Sequence, residues 1–237
     1  RSNDIVNDLC TAHGNCTTCT TFNQADVDHI KSRGWNFIRL GVVWAGAQPK
    51  DTNSLDPDFV RRLDAVLNLT DNNGLHVMLD NHGDMVGSLG CGNGVPAWFQ
   101  KKAPGVEALI GKPLETHLPY SLVSSLNVKN VGGYDHCGQN ETMWAQHAGD
   151  PDYNLLNECC QAMNSHNPGG LGFTTISQAT MAYMVNEGPG RQEFVRFWKL
   201  VAEAVKHHPS AFAFELDNEP MTIHRKAYMD TWKAAAD

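Results

Sequence analysis

The pattern that most limits the possible folds is an alternation of amphipathic helices with short apolar strands. Strands are predicted at 35–44, 75–82 and 211–220, and helices at 22–33, 57–73, 192–207 and 223–237. Alternation of this kind is typical of parallel strands that are joined by right-handed helical crossovers. The sequence therefore predicts an α/β protein with a parallel sheet, and the near-continuous apolar run of 35–44 predicts a strand that is covered on both faces.

The predicted strand at 211–220 ends in polar residues. Phe212 and Phe214 fall on one parity, carboxylates fall on the other, and Pro220 ends the strand because it lacks a backbone donor. Parallel α/β barrels place catalytic groups at the carboxyl ends of their strands. Glu219 is therefore the candidate general acid/base, with Asn218 beside it as a hydrogen-bonding partner for substrate. A polar turn without function is the alternative interpretation.

The other two strands carry polar residues at or near their ends. Arg39 interrupts an apolar strand, and a buried arginine needs acceptors, so it either joins strands through ion pairs or holds a catalytic carboxylate ionised. Asp80 and His82 share a parity, which favours a functional role for His82. Trp44 lies just past its strand and is either a core residue or a platform on which a sugar ring stacks.

The segment 83–190 is rich in glycine, asparagine and histidine and has one predicted helix, at 152–166. Long inserts on the catalytic face of a barrel usually shape the substrate cleft, so a lid or cleft wall is predicted, with passive decoration as the alternative. Disulfides are predicted to hold its shape, because the segment contains Cys91, Cys137, Cys159 and Cys160.

Composition excludes several classes of protein. The net charge is −8 and no basic run is longer than Lys101-Lys102, which argues against nucleic acid and anionic membranes as partners. No apolar run approaches the ~20 residues of a transmembrane helix. Seven cysteines and three glycosylation sequons predict a secreted protein with disulfides and glycans; the sequons are at Asn15, Asn68 and Asn140. The pair Cys16 and Cys19 lacks a second pair at zinc-site spacing, so disulfides are favoured over zinc and no metal is predicted. No signal peptide is visible, so a mature or trimmed start is expected.

Four stretches together resemble family 5 of the glycoside hydrolases, and within it the endoglycoceramidase-like branch. They are Phe-Ile-Arg-Leu-Gly-Val-Val-Trp at 37–44, Met-Leu-Asp-Asn-His-Gly-Asp at 78–84, Gly-Asn-Gly-Val-Pro-Ala-Trp at 92–98 and Asn-Glu-Pro at 218–220. The resemblance implies a (β/α)8 TIM barrel and retaining hydrolysis of β-glycosidic bonds, without a cofactor. It implies that Glu219 is the acid/base after strand four, that Asn218 contacts the sugar 2-hydroxyl and that Arg39 supports the nucleophile. His82 would line the innermost subsite, and further substrate contacts are predicted at Trp44, Asp84 and Trp98.

Two departures from the family pattern stand out. The family nucleophile, a Glu after strand seven, has no counterpart, and only strands two to four are recognised, with the long insert after strand three. Three strands cannot close a barrel, so residues 1–237 are expected to be part of one barrel domain, completed by a second chain or a further segment. Asp217 replaces an apolar or small residue and is expected either to pair with Arg39 or to mark an altered site. An internal nucleophile is disfavoured.

The favoured function is therefore a secreted glycosidase that acts on β-glucosides, glucans or glycolipids. The alternative is a catalytically inactive barrel that serves as an extracellular carbohydrate-binding or structural component. A metalloprotein built on His82, Asp84 and the insert is a third, disfavoured class.

Overall fold

The computed structural model describes residues 22–83, 86–90, 93–109, 174–220, 222 and 224–236. Several predictions fall outside these residues: the helix at 152–166, all seven cysteines, and the residues Asn15, Asp84 and Asn140.

Three parallel strands form one sheet in the order β1-β2-β3. They are β1 (Phe37–Gly41), β2 (His76–Asp80) and β3 (Ala211–Glu215). In the register, Gly41 lies opposite Asp80, and Asp80 lies opposite Glu215. The carboxyl ends of the three strands therefore lie at one edge of the sheet, as the sequence predicts.

Seven helices connect and cover the strands within the described residues. They are α1 (Gln24–Ser32), α2 (Trp44–Ala47), α3 (Pro57–Asn73), α4 (Ala97–Lys102), α5 (Thr175–Val185), α6 (Pro189–Val205) and α7 (Arg225–Ala236). Asp56 caps α3 through its side chain, and Gly74 ends α3 with a φ of 67° that glycine adopts without steric cost. Among these helices, none combines the length and apolarity that a bilayer-crossing segment needs.

Two of these helices, α4 and α5, lie at the ends of the predicted insert 83–190. Phe99 of α4 and Met181, Met184 and Val185 of α5 are buried in the main hydrophobic core. These ends are therefore part of the helical layer, which the sequence interpretation missed, and the middle of the insert, residues 110–173, lies outside the described part of the chain.

The sheet is covered on one face. Val77 and Leu79 are fully buried in the same core cluster as the α6 side chains, whereas Phe37 and Phe212 remain 43% and 57% exposed although their rings meet edge-on at 5.7 Å. The prediction of a strand covered on both faces is therefore wrong for β1 within the described residues. Three strands cannot curve far enough to enclose their own inner face.

The prediction that Phe212 and Phe214 lie on the same face of the third strand is also wrong. The register between β2 and β3 is irregular at Val77/Met78, where Ala211 and Ala213 face consecutive residues of β2. Phe212 contacts Phe37 and His76, while Phe214 contacts Trp198 of α6. A bulge shifts side chains between the faces of a sheet, so Phe212 and Phe214 do not share one environment.

Candidate active site

Arg39 links all three strands at the carboxyl edge of the sheet. Its Nε donates to Glu215 Oε2 at 2.6 Å, and its Nη2 donates to Glu215 Oε1 at 2.8 Å and to Asn218 Oδ1 at 2.7 Å. The same Nη2 lies 3.1 Å from Asp80 Oδ2. The expected ion pairing between strands is present, but the side chain is 37% exposed rather than buried. The hydrogen bond to Glu215, together with the charges of Asp80 and Glu219, raises the pKa of Arg39.

Asp80 and His82 form a pair at the end of β2, as their shared parity predicts. His82 Nδ1 lies 2.8 Å from Asp80 Oδ2, so this oxygen serves both the histidine and Arg39. The side chain of Asp80 is 3% exposed and that of His82 is 38% exposed. A buried carboxylate therefore orients an imidazole that solvent can reach.

Asn81 is a central residue that the sequence interpretation did not single out. It is fully buried, its Oδ1 accepts from the backbone N–H of Trp44, and its backbone carbonyl accepts from the N–H of Asn218. Asn81 thus ties the segments that follow all three strands. The signal was its position directly after β2, between Asp80 and His82.

Glu219 is exposed and follows the buried Asn218 directly. Its φ is 39°, in the left-handed region that residues other than glycine seldom adopt. Backbone strain of this kind clusters at functional sites. Among the described residues, no hydrogen bond or ion pair holds the Glu219 carboxylate, although its charge acts on Arg39. The carboxyl group of Glu219 therefore lies at the edge of the sheet, beside the hydrogen-bonded network of Arg39.

Asp217 does not pair with Arg39, so the first of its two expected roles is wrong. Its Oδ2 is buried and has no hydrogen-bond partner in the described part of the chain, and its Oδ1 lies 3.4 Å from Asn81 Nδ2. Burial raises the pKa of Asp217 well above its usual range, and the charges of Asp80 and Glu215 raise it further. The group is therefore a buried carboxyl that favours its neutral form.

The two tryptophans that were predicted to contact substrate lie in different environments. Trp44 is fully buried, its ring stacks on Phe197 with centroids 5.0 Å apart, and its Nε1 donates to Gln48. A sugar cannot reach it, so the stacking role for Trp44 is wrong. Trp98 is half-buried, donates to the Gln48 carbonyl and has Lys102 Nζ 4.8 Å from its ring centroid. Its predicted substrate contact remains a prediction.

Comparison with protein families gives one match in the first half of the chain. Residues 7–108 match the family model described as Cellulase (glycosyl hydrolase family 5). These residues are therefore similar to glycoside hydrolase family 5. The matched region contains Arg39, Asp80 and His82, and so covers two of the three strand ends of the site.

The curated proteins to which the chain is similar include endoglycoceramidases. An endoglycoceramidase from Hydra vulgaris is 25% identical over 205 residues, which cover 84% of this chain and 32% of that protein. Endoglycoceramidase I from Rhodococcus hoagii (strain 103S) is 32% identical over 126 residues, covering 50% of this chain and 24% of the relative. The chain thus spans at most about a third of the length of these curated relatives.

A solved structure shows the same fold. Endo-glycoceramidase II from Rhodococcus sp., described as a lactosyl-enzyme intermediate, aligns with a TM-score of 0.56 and 18% identity over 95% of this chain and 43% of that chain. The chain therefore forms part of a (β/α)8 barrel, of which the described residues supply three strands.

Proposed function

We propose that the protein containing this chain hydrolyses the β-glycosidic bond between sugar and lipid in glycolipids, with retention at the anomeric carbon. The names of the Hydra vulgaris and Rhodococcus hoagii relatives favour glycolipids over soluble glucans or simple β-glucosides. The description of the solved relative as a lactosyl-enzyme intermediate favours a covalent, retaining route. Because the chain spans only part of these relatives, the proposal concerns the whole protein.

The observation that carries the proposal is the convergence of Arg39, Asp80, Glu215 and Asn218 beside Glu219 at one edge of a parallel sheet. Carboxyl ends of barrel strands are where TIM-barrel enzymes place their catalytic groups. An inactive scaffold would not need an exposed Glu219 in a strained backbone conformation next to these hydrogen-bonded charges.

In the proposed mechanism, Glu219 acts twice. Its protonated carboxyl gives a proton to the glycosidic oxygen while a carboxylate about 5 Å away attacks the anomeric carbon. The resulting carboxylate of Glu219 then takes a proton from the water that hydrolyses the glycosyl ester, which returns both groups to their starting states. The nucleophile is assigned to the part of the barrel outside this chain.

The surrounding residues position the sugar and the nucleophile. Arg39 holds Asn218 Oδ1, which fixes the amide for contact with the sugar 2-hydroxyl. The Nη1 of Arg39 has no hydrogen-bond partner among the described residues, and we assign it to the incoming nucleophile carboxylate, whose ionised form it would favour. His82, oriented by Asp80, is assigned to the innermost subsite.

The open face of the sheet provides the place for the rest of the barrel. Phe37 and Phe212 are exposed there, and the side chain of His76 contacts Phe212. Adding the missing strands beside β1 and β3 would bury this face and bring their carboxyl ends to the edge that carries Glu219. The remaining barrel segment is therefore the proposed structural partner.

The decisive experiment uses the whole protein and a glucosylceramide or lactosylceramide with a fluorescent acyl chain. We expect Glu219→Ala to lower kcat/KM by at least about 10³-fold, since general acid/base catalysis is worth about 10²–10⁴. With an activated aryl glycoside, azide should restore turnover and yield the β-glycosyl azide, because the nucleophile remains intact. Glu203→Gln, an exposed glutamate on α6, is the matched control and should leave kcat/KM unchanged.

Two results would contradict the proposal. If the intact protein releases no ceramide and turns over no aryl β-glycoside, the inactive carbohydrate-binding or structural alternative is correct. If Glu219→Ala keeps full activity, another residue is the acid/base. We further propose that the protein is secreted and glycosylated, because it carries seven cysteines and three sequons.

A further inference from the structure

A second polar cluster lies at the opposite, amino edge of β3. It consists of Asp64 on α3 and of His207 and His208, which follow α6 and precede β3. One ligand atom from each of the three lies within 4.8 Å of the others. We propose that Asp64, His207 and His208 form a site for Zn²⁺ or a similar divalent transition metal.

The distances in the cluster suit a tetrahedral ion. His207 Nε2 is 3.2 Å and His208 Nε2 is 3.0 Å from the same oxygen, Asp64 Oδ1. Zinc bonds of about 2.0–2.2 Å at tetrahedral angles separate neighbouring ligand atoms by about 3.3–3.6 Å. The two distances to Asp64 Oδ1 therefore have to lengthen by only a few tenths of an ångström. Asp64 and His207 are 46% and 59% exposed, so water can supply the fourth ligand.

Second contacts hold the ligands in the orientation that a metal requires. His208, whose side chain is 2% exposed, has its Nδ1 2.6 Å from Asp71 Oδ2, and Asp71 Oδ1 accepts from the backbone N–H of Ser210. A carboxylate on Nδ1 fixes the tautomer of a metal-binding histidine and aims the Nε2 lone pair at the ion. Asn68 Nδ2 donates to Asp64 Oδ2, which leaves Oδ1 for the histidines.

The charges in the cluster also suit a bound cation. With Nδ1 donating to Asp71, a neutral His208 presents its Nε2 lone pair to the negative Asp64 Oδ1, and a cation bound between these two atoms removes their repulsion. One divalent ion satisfies all three ligand atoms and would join α3 to the segment that enters β3.

The test measures metal binding by the whole protein after chelator treatment. Co²⁺ is titrated by its visible absorption and Zn²⁺ is then added as competitor. We expect one Co²⁺ of this type per chain, displaced by Zn²⁺, and a loss of at least about tenfold in affinity for His207→Ala. Asp71→Asn keeps all three ligands and should weaken binding by about 10–100-fold. His29→Ala, an exposed histidine on α1, is the control and should bind as the wild type does.

Thermal unfolding gives an independent readout. Added Zn²⁺ should raise the Tm of the wild type and of His29→Ala but not of His207→Ala, because a ligand stabilises the state that binds it. If His207→Ala and wild type bind Co²⁺ equally, or if neither binds it, the cluster is an ion-paired histidine bridge and the proposal is wrong. Glycolipid hydrolysis is measured separately, so failure of the metal site leaves the proposed function standing.

Discussion

Trp44 offers the sharpest test of the packing around the site, because its two interpretations predict different measurements. As a core residue it supports stability, and as a sugar platform it would support catalysis. Its side chain is fully buried among aromatic residues, with ring centroids 4.7 Å from Phe99 and 5.0 Å from Phe197. Its Nε1 donates at 2.9 Å to Gln48 Oε1, and Gln48 is 1% exposed.

The cost of Trp44→Ala follows from these contacts. Truncating a buried tryptophan costs about 3–5 kcal/mol. The lost donor leaves a buried acceptor on Gln48, which adds about 1–3 kcal/mol. A loss of about 4–8 kcal/mol rivals the entire stability of many proteins, about 5–15 kcal/mol. Trp44→Phe is therefore the useful variant: it keeps one ring, loses the hydrogen bond and part of the volume, and should cost about 1–3 kcal/mol.

The assay compares the Tm of the whole protein with kcat/KM well below the transition. We expect Trp44→Phe to lower the Tm by several degrees and to change kcat/KM by less than about threefold. Trp35→Phe is the matched control, because Trp35 is 63% exposed and such sites usually change stability by less than about 0.5 kcal/mol. An unchanged Tm with a tenfold loss in kcat/KM would refute the packing argument and restore Trp44 as a substrate platform.

Two further predictions concern single residues. Asp217→Asn should stabilise the protein increasingly as pH rises from about 4 to 8: the raised pKa of Asp217 means that the folded state binds more protons than the unfolded state, so wild-type stability falls over this window. A Tm difference between variant and wild type that is the same at both pH values would contradict this reasoning. Asn68 is exposed on α3, so we expect it to carry a glycan in the secreted protein. Removal of glycans by a glycosidase should therefore lower the mass of Asn68→Gln by one glycan less than it lowers the mass of the wild type. Substitution of Thr70, the other residue of this sequon, is unsuitable because Thr70 is buried and its hydroxyl donates to Ser210. An equal mass loss in Asn68→Gln and in the wild type would show that Asn68 carries no glycan.

Much of the site could be predicted because of the parallel sheet. Once helices and strands alternate, the carboxyl ends of neighbouring strands must meet at one edge, so Arg39, His82 and Glu219 were expected together from local pattern alone. The pairing of Asp80 with His82 also followed from the sequence, since residues two apart on a strand share a face.

Other features depended on contacts between distant parts of the chain. Glu215, not Asp217, binds Arg39, because the register of β3 sets Glu215 opposite Asp80. A bulge in that register separates Phe212 from Phe214, and a bulge has no fixed local signature. In the sequence, Asn81 is one of several polar residues at a strand end, and nothing local distinguishes it. In the structure, its buried side chain and its backbone join the segments that follow the three strands.

The amino-acid sequence by itself determined the order of helices and strands, the edge of the sheet that carries Glu219, and the family to which that edge is similar. These follow from the periods of side-chain burial and from short motifs, which are local properties of the chain. The tertiary structure alone decided that Trp44 lies in the core, which carboxylate binds Arg39, and that Asp64 meets His207 and His208. Each of these depends on how elements separated by more than a hundred residues pack and register, and the local pattern of the sequence does not specify that geometry.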